Sequence, residues 1–262
     1  MDLKLGGKTA LITGSTAGIG FAIATGLAQE GSTVIINGRT QSRVDEAIRK
    51  LDGAKGKVLG LGADLGTAQG AQTAIAKLPE VDILINNLGI FEPKTFEDIP
   101  DEDWFRFFEV NVMSGVRLSR HYLPRMKKKG WGRIIFVSSE SAVQIPAEMI
   151  QYGMTKTAQL AISRGLAETT AGTGVTVNTV LPGPTASEGV SEFVDKLAAG
   201  GGVDKQTFEK DFFKNMRPSS LLQRFATPQE VANIVTYLAS PLSSATNGAA
   251  IRVDGGVVRS IL

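Results

Sequence analysis

Apolar residues along this chain gather in short unbroken runs. KTALIT (8–13), TVIIN (33–37), KVLGL (57–61), VDILIN (81–86), RIIFVS (133–138), VTVNTVL (175–181) and AAIRV (249–253) read as strands. Strands without polar alternation are buried on both faces, as the strands of a parallel sheet are. Between them, helical patterns run near 18–30, 40–51, 67–78, 101–129, 151–172 and 228–239. The fourth opens on Asp101, Glu102 and Asp103 and closes on Lys127, Lys128 and Lys129 before Gly130, the charge order a helix dipole favours. Strand–helix alternation predicts an α/β fold: a doubly wound, parallel, seven-stranded sheet with helices on both faces. With no internal repeat and no linker, the 262 residues are expected to form a single domain.

Residues 184–222 break the rhythm between the sixth strand and the sixth helix. They include LAAGGGVDKQTFEKDFFKNM, which predicts short helices joined by a glycine run. A connection this long in a compact domain is usually functional, and a substrate lid is expected. Phe193, Phe208, Phe212 and Phe213 are its candidates for burial.

Composition narrows the chemistry. A net charge of +2 gives no ground for nucleic-acid binding. The absence of cysteine excludes disulfides, thiolate metal sites and a cysteine nucleophile. The one histidine, His121, excludes a histidine-rich zinc site and would be the obligatory base of any serine hydrolase. In RLSRHYLPRM it reads as a surface or subunit-contact residue. MDLKLGGKTALITG carries no secretory apolar region, and no apolar run is long enough to span a bilayer. A cytoplasmic protein with no membrane partner is expected.

ITGSTAGIGFAIATGLA follows the first strand and opens the first helix, with Gly14, Gly18 and Gly20 spaced G-x-x-x-G-x-G. This differs from G-x-G-x-x-G, yet the physics is shared: glycines turn tightly and let a pyrophosphate approach the helix N-terminus. At the end of the second strand, VIINGRT offers no acid for a ribose hydroxyl and places Arg39, beside Asn37 and Thr40, where a 2′-phosphate would lie. NADP is therefore expected over NAD.

In YGMTK, Tyr152 and Lys156 share a helix face at i and i+4. An ammonium about 4 Å from a phenolate is worth roughly 4 kcal/mol at an effective dielectric of about 20, enough to bring a phenol from about 10 to about 7. A group titrating there suits general acid–base work. Ser139 precedes the pair at the C-terminal end of a strand, where ligands of open α/β sheets bind.

Taken together these motifs make the chain resemble the single-domain short-chain dehydrogenase/reductase family, with its Rossmann-type sheet. The resemblance runs from Thr9 to about Val257 and is carried by Thr13-Gly14-x-x-x-Gly18-Ile19-Gly20, Asp64, Asn86-Asn87-x-Gly89, Asn111, Ser139, Tyr152-x-x-x-Lys156, Pro182-Gly183 and Asp254-Gly255-Gly256. It implies Asn111, Ser139, Tyr152 and Lys156 as the catalytic set, Asn111 holding a water and Lys156 also holding the nicotinamide ribose. Cofactor contacts are implied at Gly14, Ser15, Thr16, Gly18, Ile19 and Gly20. Asp64 and Leu65 would serve the adenine, Asn87 and Gly89 the cofactor side of the sheet, and Pro182, Gly183 and Thr185 the nicotinamide. Leu88, where the family usually has alanine, and Ala17, where many NADP-using members have a basic residue, depart from the pattern.

The expected function is NADP(H)-dependent interconversion of a secondary alcohol and a ketone, on a small-molecule carbonyl or alcohol, in a homodimer or homotetramer built through the two long helices. A 3-oxoacyl-acyl-carrier-protein reductase is an alternative, as is a non-catalytic nucleotide-binding regulator. IFEP (90–93), VQIPAEM (143–149) and the 184–222 lid are the expected walls of a largely apolar pocket.

Overall fold

The computed structural model describes residues 2–188 and 204–261. Seven strands among them form one parallel sheet in the order β3-β2-β1-β4-β5-β6-β7. They are β1 (Thr9–Ile12), β2 (Thr33–Gly38), β3 (Val58–Gly62), β4 (Ile83–Asn86), β5 (Gly132–Val137), β6 (Val175–Pro182) and β7 (Ala250–Val253), one for each predicted run. The order reverses between β1 and β4, where Leu11 stands opposite both Ile35 and Leu84. In open sheets of this kind the crevice beyond such a reversal takes the ligand.

Successive side chains of each strand feed opposite layers. Ala10, Ile12, Ile36, Ile85 and Val137 pack under α1 (Gly18–Gln29), α2 (Gln41–Arg49) and α8 (Pro228–Ala239). Leu11, Ile35, Leu84, Ile134 and Phe136 pack under α3 (Ala68–Lys77), α5 (Ser114–Lys129) and α6 (Ile150–Glu168). Strands buried twice over need apolar residues at every position, hence the unbroken runs. Helices α1 and α8 approach so closely at Gly26 that a Cβ there would stand 2.7 Å from the Thr236 hydroxyl oxygen.

One expectation changes and another is met in part. The helix predicted over 101–129 is two helices, α4 (Asp101–Phe108) and α5, joined by a π-helical turn at Glu109–Met113. Residues of the predicted lid form α7 (Lys205–Asn215), N-capped by Asp204, and Phe213 is 1% exposed. Phe193 and the rest of 189–203 lie outside the described residues. The basic end of α5 is a helix terminus as expected: Gly130 is left-handed (φ +76°), and Lys129 pairs with Asp82 at 2.5 Å. Among the described residues, no helix is long and apolar enough to cross a membrane.

Candidate active site

The loop between β1 and α1 is built by polar side chains below it. Asn37, 2% exposed at the end of β2, accepts from the Gly14 amide at 3.0 Å and donates to the Leu61 and Ala63 carbonyls. Asn87 donates to the Thr13 and Gly14 carbonyls, each at 3.0 Å. Gly14 is left-handed (φ +60°), and a Cβ at Gly20 would stand 2.4 Å from the Gly14 carbonyl oxygen. Leu88 packs against Gly14, with Cδ1 3.3 Å from where a Cβ would be, so the family's smaller residue is replaced by a hydrophobic stop behind the loop. Ser15 is fully buried, its hydroxyl donating to Ile12 and accepting from Asn37, so that side chain braces the loop and its contact with a ligand is left to the backbone.

Above this loop lies a cleft of about 420 Å³. Gly18, Ile19, Gly20, Asn87, Gly89, Ser139, Tyr152, Lys156, Pro182, Gly183 and Thr185 line it. Gly14, Ser15, Thr16, Arg39, Asp64, Leu65 and Asn111 do not. Thr16 packs beside Gly38, Leu65 belongs to the core, and Arg39 and Asp64 are exposed, with Asp64 accepting from the Gly66 amide at 3.1 Å. The cleft suits a dinucleotide on its own evidence. No side chain caps α1 at Ala17, Gly18 is left-handed (φ +57°), and Arg43 reaches the rim nearby. Backbone N–H groups at a helix N-terminus, with a cation beside them, are a phosphate site.

At the other end, Tyr152 and Lys156 project from the first turns of α6. Lys156 is 4% exposed and donates to the Val137 carbonyl at 3.0 Å. Its nitrogen is 5.5 Å from the Tyr152 ring centroid. Burial brings its pKa down to about 8, against a smaller upward pull from Glu140. Tyr152 keeps part of its ring at the cleft surface, edge-on to Phe91 at 6.4 Å. Burial, then the Glu140 charge, hold its phenol above the ordinary value, while a hydrogen bond with Ser139 works the other way. A phenol brought near 7 is thus not found in this arrangement: the ammonium is directed at Val137 and desolvation outweighs it.

Asn111 sits in the π-helical turn, 1% exposed. Its Nδ2 donates to the Ile90 carbonyl and Thr155 Oγ1, and its Oδ1 accepts from the Ile90 amide at 2.7 Å. Its own carbonyl takes a 2.6 Å bond from Gln159 Nε2. Gly89 is held so near that a Cβ would lie 3.3 Å from Lys156 Nζ. Asn111 therefore fastens the loop after β4 to α6, beside the lysine.

The substrate end holds residues that spacing did not reveal. Ser139 Oγ donates to Glu140 Oε2 at 2.5 Å and accepts from the Ser141 amide at 3.1 Å. Glu140 is 5% exposed, and burial, outweighing the Ser139 bond and the Arg217 charge, pushes its pKa up. Arg217, 8% exposed, brings Nε to 3.5 Å from Glu140 and Nη1 to 3.2 Å from Glu148. Phe208, Phe212 and Phe225 complete the wall, with Phe212 and Phe213 both against Phe225 at 5.1 and 5.2 Å. Ile90, Phe91, Glu148, Met149 and Glu188 line the cleft as expected. Val143 and Ile145 do not: they are 53% and 50% exposed, because the chain turns outward there, and Ile145 lies over Gly153. His121 is remote, 3.0 Å from the Pro79 carbonyl.

A family model described as short chain dehydrogenase matches residues 8–198. The uncharacterized oxidoreductase YvaG of Bacillus subtilis (strain 168) is 54% identical over 263 residues, covering 100% of both chains. The 3-oxoacyl-(acyl-carrier-protein) reductase FabG of Aquifex aeolicus (strain VF5) is 33% identical, covering 98% of this chain and 100% of its own. The solved structure of L-sorbose reductase from Gluconobacter frateurii, complexed with NADPH and L-sorbose, superposes with a TM-score of 0.93 at 32% identity over 100% of both chains.

Proposed function

The chain belongs to the short-chain dehydrogenase family and is an oxidoreductase of CH–OH groups that uses a nicotinamide cofactor; from that premise we propose that it interconverts a secondary alcohol and a ketone with NADP(H), Tyr152 acting as general acid and base. The observation that carries the reading is the meeting of Tyr152, Ser139 and Lys156 on the cleft that begins at the glycine loop. The cofactor, when bound, supplies or takes the hydride at the substrate carbon. Tyr152 gives the carbonyl oxygen its proton in reduction and takes it back in oxidation. Ser139 hydrogen-bonds the same oxygen. Lys156 lends its charge to the phenolate and holds the ribose. Asn111 positions the loop after β4 beside Lys156, and a water at Asn111 relays the proton outward. The cofactor contacts follow from the loop: the backbone of residues 14–20 for the pyrophosphate, Asp64 and Leu65 for the adenine, Asn87, Gly89, Pro182, Gly183 and Thr185 for the nicotinamide half. Arg39, with Arg43 at the rim, favours the 2′-phosphate of NADP. One domain carries all of this, since both ends of the cleft belong to one sheet.

The apolar wall of Ile90, Phe91, Met149, Phe212 and Phe225 supports a small substrate with an apolar face. Arg217 is already engaged by two carboxylates, which disfavours a free carboxylate substrate. Carrier-bound 3-oxoacyl groups are the second reading, favoured by the Aquifex relative. Homo-oligomerisation is proposed through the long-helix face, where Phe105 and Phe108 of α4 are 73% and 41% exposed. Initial rates over a panel of ketones, alcohols and a carrier-bound 3-oxoacyl substrate, with both cofactors, test the reading. Tyr152→Phe should bind NADPH by fluorescence titration yet lose roughly 10²–10⁴-fold in turnover. Near-normal turnover in that variant refutes the proton-transfer role.

A further inference from the structure

Two polar side chains at the substrate end of the cleft have bonding capacity to spare. Arg217 Nη1 is spent, donating to the Met216 carbonyl at 2.8 Å and to Glu148 Oε1 at 3.2 Å. Its Nε faces Glu140 Oε1 at 3.5 Å. Among the described residues Nη2 makes no hydrogen bond, and it is not one of the polar atoms sealed in the interior. Glu148 matches it. Its Oε1 takes Arg217, its Oε2 accepts from none of the described residues, and 35% of the side chain stays open. Both residues line the cleft, and the surface around them is apolar: Met149, Phe212 and Met216 flank the pair, with the Phe212 ring centroid 5.7 Å from the guanidinium.

This polar notch selects by charge and by hydrogen-bonding capacity. A carboxylate entering it would meet Glu140 and Glu148 beside the guanidinium. An ammonium would meet the guanidinium beside Glu148. A ketone or thioester oxygen accepts from Arg217 and leaves Glu148 facing a second acceptor. A hydroxyl satisfies both sides, since it accepts from Arg217 Nη2 and donates to Glu148 Oε2. Glu140 fixes where that hydroxyl lies. Its Oε2 is 2.5 Å from Ser139 Oγ, and its Oε1 faces Arg217. One carboxylate thus separates the notch from the serine at the reacting oxygen. The hydroxyl belongs on the substrate's own skeleton, a few bonds from the reacting carbon, and the apolar surroundings suit one such group rather than several.

We propose that the substrate is a hydroxyketone, and its reduced form a diol, whose second hydroxyl is read by Arg217 and Glu148. The proposal rests on the reading that this cleft takes the ketone or alcohol, and it deepens that reading by naming the class. Arg217 and Glu148 determine specificity and take no part in the transfer of hydride or proton.

Calorimetric titration of ketones into the enzyme–NADP+ complex tests it, since a ketone binds there with no hydride to receive. The ligands are butanone and pentanone, their hydroxy derivatives with the hydroxyl one to three carbons from the carbonyl, and the methyl ether of each. The best hydroxyketone should bind about ten- to hundredfold tighter than its parent ketone, the worth of a hydrogen bond to charged groups. Its methyl ether should lose the gain, because an ether has nothing to donate to Glu148. Glu148→Leu and Arg217→Met should each bring the ratio of hydroxyketone to parent affinity close to one. The ratio within a variant cancels any general loss from a loosened wall, and Glu148 is half-exposed, so Glu148→Leu keeps the test open where Arg217→Met fails to fold. Equal affinity for parent and hydroxyketone at every spacing, absence of binding included, overturns the proposal. So does a preference that survives Glu148→Leu, or an amino- or carboxyketone that outbinds the hydroxyketone. Binding in this complex does not call on Tyr152. A full-rate Tyr152→Phe enzyme sinks the acid–base reading and leaves the ratio standing, whereas a ratio of one beside an inactive Tyr152→Phe enzyme sinks only the hydroxyketone.

Discussion

The cofactor end and the substrate end of the same cleft are held by different physics. Below the glycine loop, Asn37, Asn87, Thr13 and Ser15 bond to backbone atoms of neighbouring strands, and glycines leave room only for what is there. Backbone partners move little, so this end is rigid before anything binds. At the substrate end, side chain meets side chain: Arg217 between Glu140 and Glu148, and phenylalanines 208, 212, 213 and 225 stacked from two segments. Such contacts can be remade with other side chains at small cost to the sheet. One end conserves a geometry for a fixed ligand; the other can change its ligand without disturbing the first.

The strongest way to break the comparison is Phe213→Ala. The ring is 1% exposed and touches Phe212 and Phe225, so truncation should cost about 3–5 kcal/mol in urea melts. It should raise substrate KM while leaving NADPH affinity, read by fluorescence titration, within about twofold if additivity holds across the cleft. A matching loss of NADPH affinity would show that the two ends are one cooperative unit. Gly20→Ala is the converse. Its Cβ would meet the Gly14 carbonyl oxygen at 2.4 Å and Asn87 Nδ2 at 2.6 Å, for a cost of about 1–3 kcal/mol and a lost NADPH signal.

Lys156 lies at the seam and sharpens the comparison through pH. Its pKa is about 8 in the folded protein against an ordinary 10.5, so the unfolded chain binds the extra proton between those values. Stability should therefore rise with pH from about 8 towards 10.5. Lys156→Met should flatten that rise in thermal melts across the window while abolishing turnover; an unchanged slope would assign the rise to other groups. The smallest expected effect is in cofactor choice. Arg39→Asp should weaken NADPH relative to NADH by about tenfold or more, the worth of a charge-assisted phosphate contact. An unchanged ratio of KM values would pass the 2′-phosphate to Arg43.

This division also decides what the sequence alone conveys. Strand runs, the glycine spacing and the Tyr152/Lys156 pair are local patterns, and local patterns follow from burial and helical period. The bracing role of Asn37 was hidden because its partners, Gly14, Leu61 and Ala63, come from other turns of the chain. Glu140 was legible only as a neighbour of Ser139. Its meaning comes from Arg217, which spacing cannot place beside it. Val143 and Ile145 misled in the opposite way, since apolar residues next to a site segment suggested a wall where the chain turns to the surface. The phenol's titration failed to follow from i, i+4 geometry because burial, and then the Glu140 charge, raises it, while the lysine nitrogen is drawn to the Val137 carbonyl, none of which the spacing of two residues on one helix conveys.

The π-helical turn at Glu109–Met113 has a consequence for how this helix can vary. Such a turn holds one residue more than a regular α-helical turn, and each residue advances a helix by about 100°. Deleting a single residue there would give a straighter rod with a complete ladder, and would swing everything on one side by more than a quarter turn. The Asn111 amide would leave Ile90, and the Gln159 bond to its carbonyl would be lost. The better-formed helix would thus be the inactive one, and length in this stretch should be guarded more strictly than side-chain identity.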